Sequence, residues 1–352
     1  MRSTSKTLSI LVLAVALTAP GSAGGDKKAS KKTAAEDPYA DYVWPPPPDD
    51  PRIKLVAVIA GRADVEAKGK LKRILIGASP QEIYDRLRRP YAVEFDGQGR
   101  VLVTDLGTAA LIRFDKQEGR MDVLGTRGAL RLKQPLGLEV GPDGTIYVAD
   151  IGLKSIVALD AEGKLLRVFG SQGDLVNPTD AAVSPDSKRL FVADSKAHRI
   201  VIFDLESGEI VDSFGERGEG EGQFSFPTSL TFDASGSLFV VDQINARVQV
   251  FDGDGEFLDA FGGLAVDFGG FVRPKDVAVD EVGFIYVTDN AFNNLQLFDA
   301  DFSLLTFIGE AGSTPGRFHG ASGVAVQGDH VAVVDQLGHR VQLFRFLASK
   351  RE

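Results

Sequence analysis

The chain has 352 residues, 43% hydrophobic and 25% charged, with a formal net charge of −10 and no cysteine. That size and balance describe a globular protein able to bury roughly three quarters of its unfolded surface. Disulfides, thiolate nucleophiles and cysteine-held metals are excluded, and 49 acids against 39 bases argue against nucleic acid as a partner.

At the N-terminus, Arg2 and Lys6 precede an apolar run from Leu8 to Leu17, then Pro20 and the small residues Gly21, Ser22 and Ala23. The run is about half of the roughly 20 residues that a spanning helix needs, so residues 1–23 read as a cleaved secretory signal. Cleavage after Ala23 removes two cations and no acid, taking the net charge to −12. The expected location is periplasmic or secreted, with no transmembrane segment in the mature chain. Residues 24–52 carry Lys27, Lys28, Lys31 and Lys32 among small residues, then Trp44 and Pro45 to Pro48. This composition reads as a disordered linker ending in a stiff polyproline II stretch.

From residue 53 to 348 one supersecondary unit repeats. Aspartates that follow β-rich runs stand at Asp105, Asp150, Asp194, Asp242, Asp289 and Asp335, spaced by 45, 44, 48, 47 and 46 residues. Nine residues after each comes Phe114, Leu159, Phe203, Phe251, Phe298 or Phe344. A fixed period of this length marks a repeat architecture. Within a unit, short β-branched or aromatic runs alternate with Asp-Gly turns such as DGQG, GPDG and DASG, which predicts four antiparallel strands. Pro90, Pro135, Pro178, Pro227 and Pro274 open the first strands, with Ala321 in the sixth. The expected fold is all-β, a six-bladed β-propeller that buries both faces of each sheet against its neighbours.

The sixth unit stops at Glu352 without an outer strand. IKLVAVIAG, residues 53–61, can supply it and close the ring, leaving 62–89 as an insertion. KGKLKRILIG, residues 68–77, is the competing closing strand.

Asp194, Asp242 and Asp335 are followed five residues later by Arg199, Arg247 and Arg340, a repeated spacing that predicts structural ion pairs across the hairpin of strands two and three. The residues after the repeated aspartates, Ser195, Gln243, Asn290 and Gln336, vary on a constant frame and, with Lys275, are candidate ligand contacts at the channel mouth. Inner strands place small residues two and four positions after the opening proline, but Glu94, Glu139, Asp180 and Asp276 replace them in four units. Four carboxylates near an axis could bind calcium; hydrogen bonding to exposed backbone, or to Lys275 and Arg273 at the mouth, is the structural alternative. Otherwise no cofactor is expected.

DSKAHRIVIFD, DQINARVQVFD and DQLGHRVQLFR, joined by loops such as FGERGEGEGQFSFP, resemble NHL repeats over about residues 90–346. DYVWPPPPDDPRIKLV is similar to the lead-in of exported bacterial NHL proteins. Units one, two and five depart from the pattern, with Ala110, Ser155 and Asn294 at the arginine position. The resemblance implies a six-bladed propeller but no single activity, because the family spans protein- and RNA-binding domains, sensor domains and the peptide-amidating lyase. A zinc lyase site would need histidines from several blades. Here His198 is in the third unit and His319, His330 and His339 are all in the sixth. The expected role is a monomeric, non-catalytic binding or scaffold module for a protein, peptide or cell-envelope ligand. The alternative is a metal-dependent hydrolase or lyase, lactonase-like or amidating-lyase-like, using the axial acids.

Overall fold

The computed structural model describes residues 37–66, 83–128, 130–170, 173–265 and 267–347. The expected signal, the lysine-rich part of the linker and the alternative closing strand 68–77 lie outside the described residues. No helix among the described residues is long and apolar enough to cross a membrane.

Six sheets form the ring. In the first blade, Pro90–Phe95 is innermost, followed outward by Val101–Asp105, Ala110–Asp115 and Arg120–Leu124. Blades 2 to 5 repeat this order from inner strands Pro135–Val140, Pro178–Val183, Pro227–Phe232 and Pro274–Val279. The sequence pattern accounts for the layering. Second strands such as Leu238–Asp242, apolar on both faces, are buried throughout, whereas outer strands such as Ile210–Phe214 face solvent. Burial on both faces leaves each sheet dependent on two neighbours, and one hydrophobic cluster fills each gap between adjacent blades. Inner strands carry a register shift just after the opening proline, as between Pro178 and Asp180.

The sixth blade joins both ends of the chain. Ile53–Ile59 pairs antiparallel with Arg340–Phe346, outside His330–Asp335 and Ala321–Gln327. Residues 53–61 therefore provide the closing strand. Gly61 bridges Arg86, and a Cβ on it would meet the Asp85 carbonyl oxygen at 2.2 Å, so the chain returns from the insertion in direct backbone contact with the latch.

The linker expected over 24–52 ends earlier than composition suggests. Val43–Trp44 adds a fifth strand to the closing sheet, and Tyr39, Tyr42 and Trp44 pack on the cluster between blades 5 and 6. The Trp44 ring meets Phe344 edge-on at 5.5 Å between centroids. Three aromatic side chains within six residues supply the apolar area that the prolines lack. Pro46 to Asp50 remain an exposed hairpin tip.

Candidate functional site

The six repeated aspartates have no exposed surface, and each caps the start of its own blade. Asp150 accepts N–H groups from Lys133 and Gln134 before the inner strand and from Gly152 and Leu153 in the hairpin turn. Asp105 and Asp289 have equivalent partners. Where the arginine is present it adds an ion pair: Asp194 to Arg199 at 3.4 Å, Asp242 to Arg247 at 3.0 Å and Asp335 to Arg340 at 2.7 Å. These arginines also donate to carbonyls of the incoming loop, as Arg340 does to Ser313, Thr314 and Arg317. The repeated charges thus tie loop, hairpin and strand together.

Sequence reasoning missed a feature of the same hairpin. The fourth residue after every repeated aspartate is left-handed: Ala109, Lys154, His198, Ala246, Asn293 and His339 have φ between 51° and 56°. None is glycine, so the turn is imposed by the surrounding hydrogen bonds at a cost in backbone strain. His198 and His339 hold turn positions in blades 3 and 6. His330 sits at the other end of the ring beside Asp329, so the histidines do not converge.

Around the axis, Glu94, Glu139, Asp180 and Asp276 line one channel together with Tyr91, Thr179, Thr228, Ser229, Lys275 and Ser322. Their carboxylates border the lumen yet are desolvated by surrounding protein. Burial pushes all four pKa values up, Glu139 to about 7 and Asp276 to about 6. Glu94 and Asp180 stand well above the usual carboxylate range, through burial first and then through charge repulsion from Glu139 and Asp276 respectively.

Each acid is also engaged by backbone. Glu139 accepts from Val183 N of blade 3, and Asp180 from Leu230 N of blade 4, at 3.3 and 3.1 Å. Asp276 accepts from Val324 N of blade 6 at 2.8 Å and from the Ser229 hydroxyl of blade 4. Glu94 turns back on its neighbour Phe95 N. Three of the four acids therefore staple adjacent blades, and hydroxyls extend the set: Thr104 donates to Leu136 O, Thr228 to Lys275 O, and Ser322 to Tyr91 O. Gly137 is required by this crowding, since a Cβ there would lie 2.2 Å from Asp180 Oδ1. Among the described residues, no three acids or histidines stand close enough together to hold a metal ion.

Of the expected contacts, Lys275 lines the axial channel. Lys275 Nζ lies 5.1 Å from the centroid of the Tyr91 ring, a cation–π contact spanning blades 5 and 1. Gln243, Asn290 and Gln336 are part-exposed in the hairpins of blades 4, 5 and 6, and Asn290 donates to Ala321 O of blade 6. Ser195 differs. It is 4% exposed and opens a short 3-10 turn, its N–H bonded to Asn177 O, so it offers a ligand almost no surface.

Residues 182–268 match a family model described as a 6-bladed beta-propeller. An 82-residue stretch is 37% identical to peptidylglycine alpha-amidating monooxygenase of Rattus norvegicus, covering 22% of this chain and 8% of that protein. A 40-residue stretch is 48% identical to NHL repeat-containing protein 3 of Homo sapiens, covering 11% of this chain and 12% of the relative. The chain thus matches only a small part of either relative's length. In overall fold it is similar to a gluconolactonase from Xanthomonas campestris, with a TM-score of 0.57 and 16% identity over 83% of this chain and 98% of that one. With the ring complete in the fold and stretches of its repeats similar to those of NHL repeat-containing proteins, this chain is a six-bladed β-propeller built from NHL-like repeats.

Proposed function

We propose that the chain is an exported, non-catalytic binding module, periplasmic or secreted, that presents the loops at the channel-mouth end to a protein, peptide or cell-envelope ligand. One observation carries this reading: the axial space is spoken for. The void among the four acids is about 50 Å³, far below the several hundred Å³ of a typical small-molecule site. Three of its four acids are tied into blade-to-blade hydrogen bonds. Gln243, Asn290 and Gln336 on the loop end are the contacts this reading assigns.

The second reading, a metal-dependent hydrolase or lyase, draws on four desolvated carboxylates around one lumen, a costly arrangement that a bound calcium would relieve. Likeness to a gluconolactonase adds the fold alone. The two separate by elemental analysis of the purified chain, with melting measured before and after EDTA. No bound metal and an unchanged melting temperature are expected. About one calcium per chain, with melting lowered by chelation, would sink the binding-module reading and direct screening toward hydrolysis.

A further inference from the structure

Antiparallel order places two kinds of loop at opposite ends of the ring. Hairpins between second and third strands share one end with the connections between blades, and the remaining turns share the other. The turns at that other end are aspartate-rich: DGQG, GPDG, DAEG, DASG, DGDGE and DADF. At the connection end, blades 1 and 2 carry the opposite charge. Arg88 and Arg89 precede the inner strand of blade 1, Arg127, Arg131 and Lys133 connect the two blades, Lys154 tips the second hairpin, and all six are exposed. Of the acids near these loops, Asp85 is hydrogen-bonded to Arg62, and exposed Asp174 lies at the edge of the sector on the connection from blade 2 to blade 3. Among the described residues none of the six forms an ion pair, in contrast to Arg199, Arg247 and Arg340.

The backbone of three of the six is nevertheless held. Arg88 and Arg89 N–H donate to Asp105 at 2.6 and 3.2 Å, and Lys133 N–H donates to Asp150 at 2.6 Å. The hidden aspartates thus spend their charge on main chain, while the cationic side chains face solvent, Arg88 with its Nε also donating to Ile83 O at 3.1 Å. A partner meeting backbone held in this way loses less ordering entropy than one meeting flexible loops. Exposed Ile83 and Val176 flank the cations, with Leu130, Ile151 and Leu153 part-exposed between them.

We propose that this sector of blades 1 and 2 binds a polypeptide segment in which acidic and apolar side chains alternate. The proposal deepens the binding-module reading and rests on it. Arginine forks match carboxylates in bidentate geometry, and the interleaved apolar residues give such a segment a second source of affinity that the phosphates of nucleic acid do not use. A flat anionic membrane fits less well, because exposed Glu216, Glu219 and Glu221 stand at the same end of the ring on the connection from blade 3 to blade 4.

Fluorescence anisotropy of the full chain tests this with a labelled Glu-Glu-Leu repeat peptide, its Gln-Gln-Leu counterpart, single-stranded RNA and phosphatidylglycerol vesicles. The acidic peptide is expected to bind, and to weaken about tenfold as salt is raised from ~50 to ~200 mM. The double variant Arg131→Glu/Lys133→Glu should lose about tenfold or more in affinity with melting unchanged. Leu258→Asp/Val282→Asp, exposed on the outer strand of blade 4 and in a blade 5 turn at the opposite end of the ring, should bind as the parent does. Equal binding of the neutral peptide, preference for RNA or vesicles, absence of binding, or self-association through the same cations overturns the inference. The underlying reading fails separately, on a hydrolytic turnover abolished by Asp180→Asn/Asp276→Asn.

Discussion

Blades 3, 4 and 6 and blades 1 and 2 handle their cations differently. In the first group an arginine turns inward, 2.7 to 3.4 Å from the buried aspartate of its own hairpin, and also grips the incoming loop. In the second group Ala110 and Ser155 occupy that position, the aspartate is satisfied by backbone N–H groups, and the cations stand on the connecting loops facing water. Blade 5 belongs to neither. Asn294 fills the arginine position with no exposed surface, and neither its Nδ2 nor its Oδ1 has a partner. The same buried aspartate therefore supports two outcomes: a charge neutralised within the blade, or a frame that holds charge out for something else.

The largest expected effect tests whether the inward arginine matters to its aspartate. Asp242→Ala should cost about 3–5 kcal/mol, because it leaves Arg247 without its counter-charge. Asp105→Ala, which strands only backbone donors, should cost about 2 kcal/mol. Equal shifts in the denaturation midpoints of the two variants would show that the arginine contributes nothing.

The contrast between well-partnered and poorly partnered acids reaches the axis at Glu139, which accepts a single N–H across the blade boundary. Its folded pKa, pushed up to about 7 from an ordinary 4.5, means that it stabilises the fold while protonated. That contribution is complete below the unfolded value and is lost as pH rises toward 7. Glu139→Gln keeps an acceptor and removes the charge, so it should be more stable than the parent at pH 8, by about 2 kcal/mol. The difference should vanish near pH 4 in melting experiments, and a pH-independent difference would refute the assignment.

Smaller effects refine the comparison. Asn294→Ala, copying Ala110 of blade 1, removes two unpartnered buried polar atoms and should stabilise by about 1 kcal/mol, read from the denaturant midpoint. Ala109→Gly relieves a left-handed alanine in the unpaired blade 1 and should raise stability by about 0.5 kcal/mol. A loss on either substitution would mean that packing, not polarity or strain, governs these hairpins.

The six-blade ring was legible because its cause is local and repeated. The period of the aspartates, the phenylalanine nine residues on and the Asp-Gly turns each constrain every blade. The closing strand was legible only as one of two candidates, 53–61 and 68–77, because Arg345-Phe346 replaces the turn that leads into an outer strand in the other units. Features that depend on a neighbouring blade were not. Glu139, Asp180 and Asp276 read equally well as metal ligands or as staples until the N–H groups of Val183, Leu230 and Val324 were in place opposite them. Gln249, Gln296 and Gln342, buried at equivalent third-strand positions, hold loop N–H and carbonyl groups. Their recurrence in RVQVF, NLQLF and RVQLF was the available signal. Packing of Tyr39, Tyr42 and Trp44 was masked by the adjacent prolines and lysines, whose composition dominates the segment.

Closing the ring with Ile53–Ile59 has a consequence for the order in which the protein is made. IKLVAVI is made before any complete blade, and its partner Arg340–Phe346 only after the other strands of the ring. Until then it is an apolar strand with only the short Val43–Trp44 strand beside it and an open backbone edge, the kind of segment that templates aggregation. The first blade likewise lacks one wall until the sixth arrives. A nascent chain of this design cannot close its ring before Arg340–Phe346 has emerged, and until then the first strand must be kept apart from its copies.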